Sequence, residues 1–471
     1  MTNLKTPPGP PAANNLLSQL QFFQHVQADM LAVLNAGFRD HGDLWMLDIG
    51  GKRNFLIKNP DHIYEITVRQ ADKFHKPQDY TDPQRGLARF LGNGLLTSDG
   101  AFWRKQRKLV APAMHTQRIT KYADTMVFYT VQMLEGWAGK QELDVDDAMM
   151  RATLQIVAKT LFNADVSQDA GRVSNAMAVL QEMNGNNITL ESLLPTWVPT
   201  PRRRREALAV RDLDEIIYGI IRERRKSSED TGDLLSMLLL SLDEDGQGMS
   251  DKEVRDEAVT MFLAGHETTA NALNWTWVLL AQNPEVEARL HEELDRVLAG
   301  RVPSLADLRQ LPYTEMVIKE SMRLYPPAHG FGRVAIEDVE VDGYVIPKGS
   351  DVNIVTYAVH RDSRWWDDPE AFRPERFSPE NEANIRKYSY IPFGAGPRVC
   401  IGNSFAQMEA HLMLATIAER YQLRLAPGQV VQPNPLITLR PKGGLHMRLE
   451  ARPTIQRTTS TPASAPEALP A

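Results

Sequence analysis

One cysteine, Cys400, stands in 471 residues. A chain with a single thiol closes no disulfide within itself. It also builds no multi-cysteine zinc or iron–sulfur centre, so its fold must rest on buried apolar surface. The setting of Cys400 narrows matters further. It lies in Phe393-Gly-Ala-Gly-Pro-Arg-Val-Cys-Ile-Gly402, with Gly394 and Gly396 where a backbone can bend sharply or lie close to something flat and bulky. A helical pattern from Asn403 to Tyr421 follows. The sulfur is therefore expected at a helix start, where negative charge is favoured and thiol pKa values fall.

Composition excludes several classes. Hydrophobic residues make up 42% and charged residues 24%, the balance of an ordinary globular protein. A net charge of −7 with no long compensating basic block argues against nucleic-acid binding. Met1–Leu20 has neither a basic n-region nor an apolar h-region, and no run approaches the ~20 apolar residues that span a bilayer. The expectation is a cytoplasmic protein with no transmembrane anchor, to which a lone thiol is suited. Residues 1–15 are proline-rich, 16–450 read as one unit, and 451–471 read as a disordered tail rich in Thr, Pro, Ser and Ala.

Along the chain, helical spacing dominates. Leu16–Phe38 is helical, and Trp45–Gly50 with Asn54–Lys58 reads as a hairpin. Gln70–Gly100 is irregular. Phe102 then opens a helix on which Trp103 and Arg107 share a face, beside basic Arg104, Lys105 and Lys108. Residues 118–240 read as amphipathic helices. Pro195, Pro199 and Pro201 interrupt them, and Arg202–Arg205 reads as a solvated helix start.

Ser250 and Glu253 form a capping box that opens a pattern running to Asn283, over thirty residues or ~50 Å. At its middle lies Ala264-Gly-His-Glu-Thr-Thr269. A mid-helix glycine costs ~1 kcal/mol, so Gly265 needs a reason. Either it lets the helix lie close over a flat cofactor, or it packs against a neighbouring helix. Thr268 is expected to hydrogen-bond locally, Glu267 supplies a titratable group, and His266 reads as structural or pocket-lining. Glu320 and Arg323, three apart, share a helix face, and Pro374-Glu-Arg-Phe377 follows. The segments 330–355 and 423–449 have strand and turn character. On residue chemistry alone, Cys400 is an enzyme nucleophile, an axial ligand to haem iron, or an inert buried thiol.

Spacing ranks these readings. Phe393, Gly396, Arg398, Cys400 and Gly402 match F-x-x-G-x-R-x-C-x-G, so the loop resembles the haem-loop signature of the cytochrome P-450 family. W-x-x-x-R at Trp103 and Arg107, A-G-x-E-T-T at Ala264–Thr269, E-x-x-R at Glu320–Arg323 and P-E-R-F at 374–377 stand in the family's order. The resemblance covers roughly residues 7 to 450.

It implies a mainly α fold with small β-sheets in one catalytic domain, holding haem b. By resemblance, Cys400 is the axial ligand, and Phe393 packs near the thiolate. Trp103, Arg107, Arg333 and Arg398 offset the propionates. Ala264 and Gly265 lie over the cofactor, Thr268 and Glu267 relay protons, and Arg376 completes a buried cluster with Glu320 and Arg323. The activity implied is insertion of one atom of O2 into a C–H or C=C bond of a lipophilic small molecule.

No G-x-G-x-x-G fingerprint is present, so electrons are expected from a separate ferredoxin or flavodoxin with its reductase, docked at Arg104, Lys105 and Lys108. Two alternatives stay open: a thiolate-haem enzyme driven by H2O2 or isomerising its substrate, and a haem sensor without turnover. The retained Glu267–Thr268 pair disfavours both. The pocket is expected to draw on Gln70–Gly100, a lid near 175–205, Met261–Thr269, Ala328–Phe331 and Leu436–Leu439. Met261, Phe262, Phe331, Ile437 and Leu439 would make it apolar, which suits a fatty acid, terpenoid or steroid.

Overall fold

A computed structural model of the chain describes residues 5–13, 15–184, 198–227, 230–242 and 246–453. Its axis is the helix Asp251–Gln282. Ser250 Oγ accepts from the Glu253 N–H, and Glu253 Oε2 accepts from the Ser250 N–H at 2.9 Å, which together nucleate the first turn. Asn283-Pro284 ends it. Nearly every position between is buried, because helices Val145–Phe162, Pro201–Ser227, Pro312–Leu324 and Asn403–Ala418 pack around it. Such all-round burial explains why the sequence there is apolar without a polar face.

The β structure is small and lies to one side. A five-stranded sheet begins with the antiparallel hairpin Leu44–Ile49 and Lys52–Ile57, Leu44 opposite Ile57. Asp351–Ile354 joins it in parallel, then Phe331–Ala335 and Phe74–His75 antiparallel. A three-stranded sheet pairs His446–Ala451 with Glu142–Asp144 and Tyr421–Leu425. Two further hairpins are Val339–Val341 with Tyr344–Ile346, and Pro433–Pro435 with Leu439–Pro441. The fold is mainly helical with small sheets, as the resemblance implies. Among the described residues no helix is long and apolar enough to cross a membrane.

Three local expectations need correction. The first helix extends to His41 but breaks at Asp29 (φ −158°, ψ 90°). There the Asp29 carboxylate accepts from the Ala32 N–H at 2.9 Å and caps a restart. Apolar spacing continues across the break, so periodicity does not report it. The irregular stretch 70–100 contains short helices Gln78–Thr81 and Ala88–Leu91. The helix after Cys400 stops at Ala418, and Tyr421 begins a strand. Arg202–Arg205 does lie in the first turns of Pro201–Ser227. Of the expected lid and tail, 185–197 and 454–471 lie outside the described residues.

One buried cluster ties the helical body to the cysteine loop. All five N–H groups of Arg323 are used: Nε and Nη2 go to Glu320 at 2.7 and 2.8 Å, and the rest to the carbonyls of His360, Pro369 and Ala371. Arg376 brings a second cation to Glu320 at 3.1 Å. A buried carboxylate is tolerable only with such full pairing. His360 then links onward, with Nδ1 on the Arg323 carbonyl and Nε2 accepting from the Ile391 N–H at 2.8 Å. Burial pushes its imidazole down to about 3, so it stays a neutral, orienting ring.

Candidate cofactor site

Ile391 leads directly into the loop Phe393–Gly402. Gly394 and Gly396 sit at φ 76° and 72°, where a side chain is strained. At Gly396 there is also no space: a Cβ would lie 1.9 Å from the Thr67 carbonyl oxygen. The Cys400 N–H donates to the Phe393 carbonyl at 2.9 Å, closing the loop. The sulfur is accessible, yet to a cavity rather than to the outer surface. Burial pushes the thiol up, with only the Gly402 N–H and Arg107 pulling it down. This corrects the expectation of a helix-start thiol lowered by its dipole. The sulfur precedes the first helical residue, Asn403, and desolvation outweighs the dipole. A thiolate here needs a cation bound against it.

The cavity, about 320 Å³, lies between this loop and the long helix. Ala264, Gly265, Thr268 and Thr269 form its far wall. Thr268 Oγ1 donates to the Ala264 carbonyl at 2.8 Å, the local bond expected of it. Gly265 exposes only backbone to the cavity. Its missing side chain faces Val157, whose Cγ2 would stand 3.0 Å from a Cβ, so close helix packing is the reason for the glycine. His266 points away, Nδ1 on the Phe262 carbonyl at 2.9 Å, and burial lowers it to about 4. Glu267 is not brought to the cavity. It is buried behind the wall, where Oε1 accepts from Thr438 Oγ1 at 2.5 Å.

One end of the cavity is cationic. Around the Trp103 ring stand Arg398 at 5.2 Å, Arg107 at 5.8 Å and Lys76 at 5.9 Å from its centroid. Buried Arg333 lines the same end, and burial with nearby Arg398 lowers it to about 10. Lys76 Nζ donates to the carbonyls of Leu95 and Ser98 at 2.7 and 2.8 Å, and burial with Arg398 pushes it down to about 7. The carboxylate hydrogen-bonded within this group is Asp99, paired with Arg398 at 2.6 and 3.1 Å. Arg107 has no carboxylate partner among the described residues.

Four cations, buried or half-buried, with Asp99 as their hydrogen-bonded carboxylate, are costly unless further anions arrive. A flat cofactor with carboxylates at this end and a metal at the sulfur fits the donor set. Sequence reasoning missed Lys76 and Asp99. Lys76 lies in an aperiodic stretch with no signal, whereas Asp99-Gly100 ahead of a helix is a readable cap.

The side walls are apolar. Leu95, Leu161, Met261, Ile318, Ala328 and Phe331 all face the space. Phe262, Ile437 and Leu439 do not, contrary to expectation. Phe262 packs edge-on against Phe162 at 5.9 Å, and Leu439 is fully buried with its N–H on the Pro327 carbonyl. Arg104, Lys105 and Lys108 are exposed, turned away from buried Trp103 on the same helix.

Comparisons with known proteins agree with this geometry. The profile of the family described as Cytochrome P450 matches residues 7–447. The chain is 38% identical over 416 residues to cyclooctatin synthase of Streptomyces melanosporofaciens, covering 88% of this chain and 89% of that one. It is 33% identical over 416 residues to pentalenene oxygenase of Streptomyces avermitilis, covering 88% and 91%. The solved structure of retinoic acid-bound cyanobacterial CYP120A1 superposes with a TM-score of 0.83 at 25% identity, covering 96% of this chain and 100% of that one. A cysteine loop facing a long helix across a cavity with a cationic end, in a chain so matched, belongs to the cytochrome P450 family, with haem b as cofactor and monooxygenation as its reaction class.

Proposed function

We propose that Cys400 is the axial thiolate of the haem, and that the enzyme hydroxylates a cyclic, mostly hydrocarbon molecule. The observation that carries this is Cys400 opening into an apolar cavity opposite Ala264–Thr268 with the cationic cluster at one end. Bound haem with a thiolate ligand would supply the O2 activation and oxygen-atom transfer to a substrate C–H bond. The chain's own residues do the rest. Trp103, Arg107, Arg333, Arg398 and Lys76 would hold the propionates. Phe393 and Gly396 shape the loop around the sulfur, and Ala264 leaves room above the cofactor. Leu95, Met261 and Phe331 exclude water and bind the substrate by apolar contact. Thr268 presents a hydroxyl proton at the wall, and Glu267 resupplies it.

The substrate class rests on those walls and on the relatives. Pentalenene oxygenase and cyclooctat-9-en-7-ol 5-monooxygenase, the latter 37% identical over 393 residues, take by name a cyclic alkene and a cyclic alkenol. Electrons come from a separate donor, a ferredoxin or flavodoxin with its reductase, for which exposed Arg104, Lys105 and Lys108 offer a docking charge. The test is the purified chain reduced under CO, then titrated with cyclic terpene hydrocarbons and alcohols. A thiolate-type red-shifted Soret band and a substrate-induced spectral shift are expected. An imidazole-type spectrum would overturn the ligand assignment. Shifts with linear fatty acids alone would overturn the substrate class.

A further inference from the structure

Behind the cavity wall three side chains form a polar chain. Asn271 Nδ2 donates to Thr438 Oγ1 at 3.1 Å, and Thr438 Oγ1 donates to Glu267 Oε1 at 2.5 Å. Glu267 and Asn271 are four apart on the long helix, so both face the hairpin that carries Thr438 while Thr268 faces the cavity. All three are buried, at 6%, 0% and 6% exposure for Glu267, Asn271 and Thr438. A threonine hydroxyl has one proton to give. The carboxylate takes it, so the hydroxyl must accept from the Asn271 amide, and each bond polarises the next.

Thr438 is itself held firmly. The Trp275 indole donates to the Leu439 carbonyl at 3.0 Å, the Leu439 N–H donates to the Pro327 carbonyl at 2.9 Å, and the Leu436 N–H bonds the Thr438 carbonyl at 3.1 Å. His329 Nε2 holds the Leu436 carbonyl at 3.0 Å. The hydroxyl is therefore a fixed point supplied from outside the helix. Beside it, Asn271 Oδ1 is buried with no protein partner, a place for an ordered water.

We propose that Thr438 is a positioning residue for proton delivery, fixing the Glu267 carboxylate behind the cavity wall through the Asn271–Thr438–Glu267 chain. The inference rests on the reading that Glu267 resupplies protons to Thr268. When Glu267 gives up a proton it is left a carboxylate, and the Thr438 hydroxyl donates to that charge. The acid is then reprotonated from solvent, with the Thr438 hydroxyl holding it in place meanwhile. Without the hydroxyl, the carboxylate loses its fixed orientation and protons reach the cavity out of step with electrons.

The test compares Thr438→Val, Thr438→Ser, Glu267→Gln and the Val/Gln double variant in the haem-loaded enzyme with its redox partner. Product per reduced cofactor consumed should fall about 3–10-fold in Thr438→Val, and stay within about twofold of wild type in Thr438→Ser. The double variant should be no worse than Glu267→Gln alone, because the two act as a unit. A second readout needs no turnover. The infrared carboxyl band that Glu267→Gln abolishes should shift in Thr438→Val and return in Thr438→Ser.

Unchanged coupling in Thr438→Val, or losses that multiply in the double variant, would overturn the proposal while leaving Glu267 in place. Wild-type coupling in Glu267→Gln would instead overturn the Glu267 reading itself. Should Thr438→Val not fold, Thr438→Ala removes the same hydroxyl without adding bulk, and the same outcomes decide.

Discussion

Arg398 pairs with Asp99 through two hydrogen bonds, at 2.6 and 3.1 Å, across 299 residues of chain. Asp99 also caps the helix Gly100–Val110, its Oδ1 accepting from the Gly100 N–H at 2.6 Å. That helix carries Trp103 and Arg107. One carboxylate thus locks the cysteine loop, two residues ahead of Cys400, to the helix that carries two of the proposed cofactor contacts.

From this relationship Asp99→Ala should lose both the cap and the ion pair. A cap is worth about 1 kcal/mol, and a largely buried pair adds about 1–3 kcal/mol after discounting for residual solvent. Asp99→Asn keeps a capping side chain and loses the charge. Thermal unfolding should therefore rank wild type above Asn above Ala. Haem loss to an acceptor protein should speed up in both variants, since Arg398 loses its anchor either way. Equal haem retention in all three would show that Asp99 serves the helix alone.

Lys76 makes a pH prediction. Burial lowers its folded pKa to about 7 from an ordinary value of 10.5. Between these values the unfolded chain binds more protons than the folded one, so stability rises with pH across that window. Below about 7 the cost of the buried ammonium is fully present. The slope is at most about 1.4 kcal/mol per pH unit. In haem-free protein, the difference in unfolding free energy between wild type and Lys76→Met should narrow as pH rises from 7 to 10. If Lys76 holds a propionate as proposed, the difference should depend less on pH with haem bound. A pH-independent difference in the haem-free protein would show that Lys76 is not the titrating group.

Gly265 can be tested apart from the cofactor. In Gly265→Ala the new methyl stands 3.0 Å from Val157 Cγ2, tight enough to force a shift of a few tenths of an ångström. Helix propensity returns about 1 kcal/mol, and overpacking costs about 1–3 kcal/mol. The net is a mild destabilisation. Adding Val157→Ala should relieve it, giving a favourable coupling of about 1 kcal/mol in a double-mutant cycle. The substrate-induced spectral shift of Gly265→Ala should stay that of wild type. A strongly altered shift would put the methyl in the cavity and restore the cofactor explanation for this glycine.

Much of this site is legible in sequence because its parts are local. The loop around Cys400, the Ser250–Glu253 cap and the pairing of Trp103 with Arg107 are each set by spacing within a few residues, and backbone sterics or helix periodicity make such spacing meaningful. What escapes is set by contacts between distant segments. The direction in which Gly265 lacks a side chain depends on where Val157 lies. Glu267 faces away from the cavity, and the hydroxyl that it meets there stands at a sequence separation of 171. Lys76 matters only because Arg398, Arg333 and Asp99 converge on it. The break at Asp29 hides for the opposite reason: the local cap is readable, but the apolar rhythm runs through it unchanged.

Thr268 separates an O2-dependent monooxygenase from an enzyme that uses peroxide. Its hydroxyl now donates to the Ala264 carbonyl at 2.8 Å and lies on the cavity wall opposite Cys400. The role proposed for it is to hold a proton there while O2 is reduced. A positioned donor contributes about 10²–10⁴-fold, roughly 3–5 kcal/mol of barrier. Thr268→Ala removes that donor and one intrahelical side-chain bond, so fold, haem content and substrate binding should persist. Reduced cofactor should still be consumed through the redox partner, with more H2O2 released per product. Added H2O2 should restore part of the product yield, because peroxide brings its own protons. The measurement is product and peroxide together, each per reduced cofactor consumed. Unchanged coupling would remove Thr268 from proton delivery. A wild type active with H2O2 and inactive with every reductive donor tried would assign the chain to peroxide-driven chemistry, and the Thr268→Ala variant should then match wild type under H2O2.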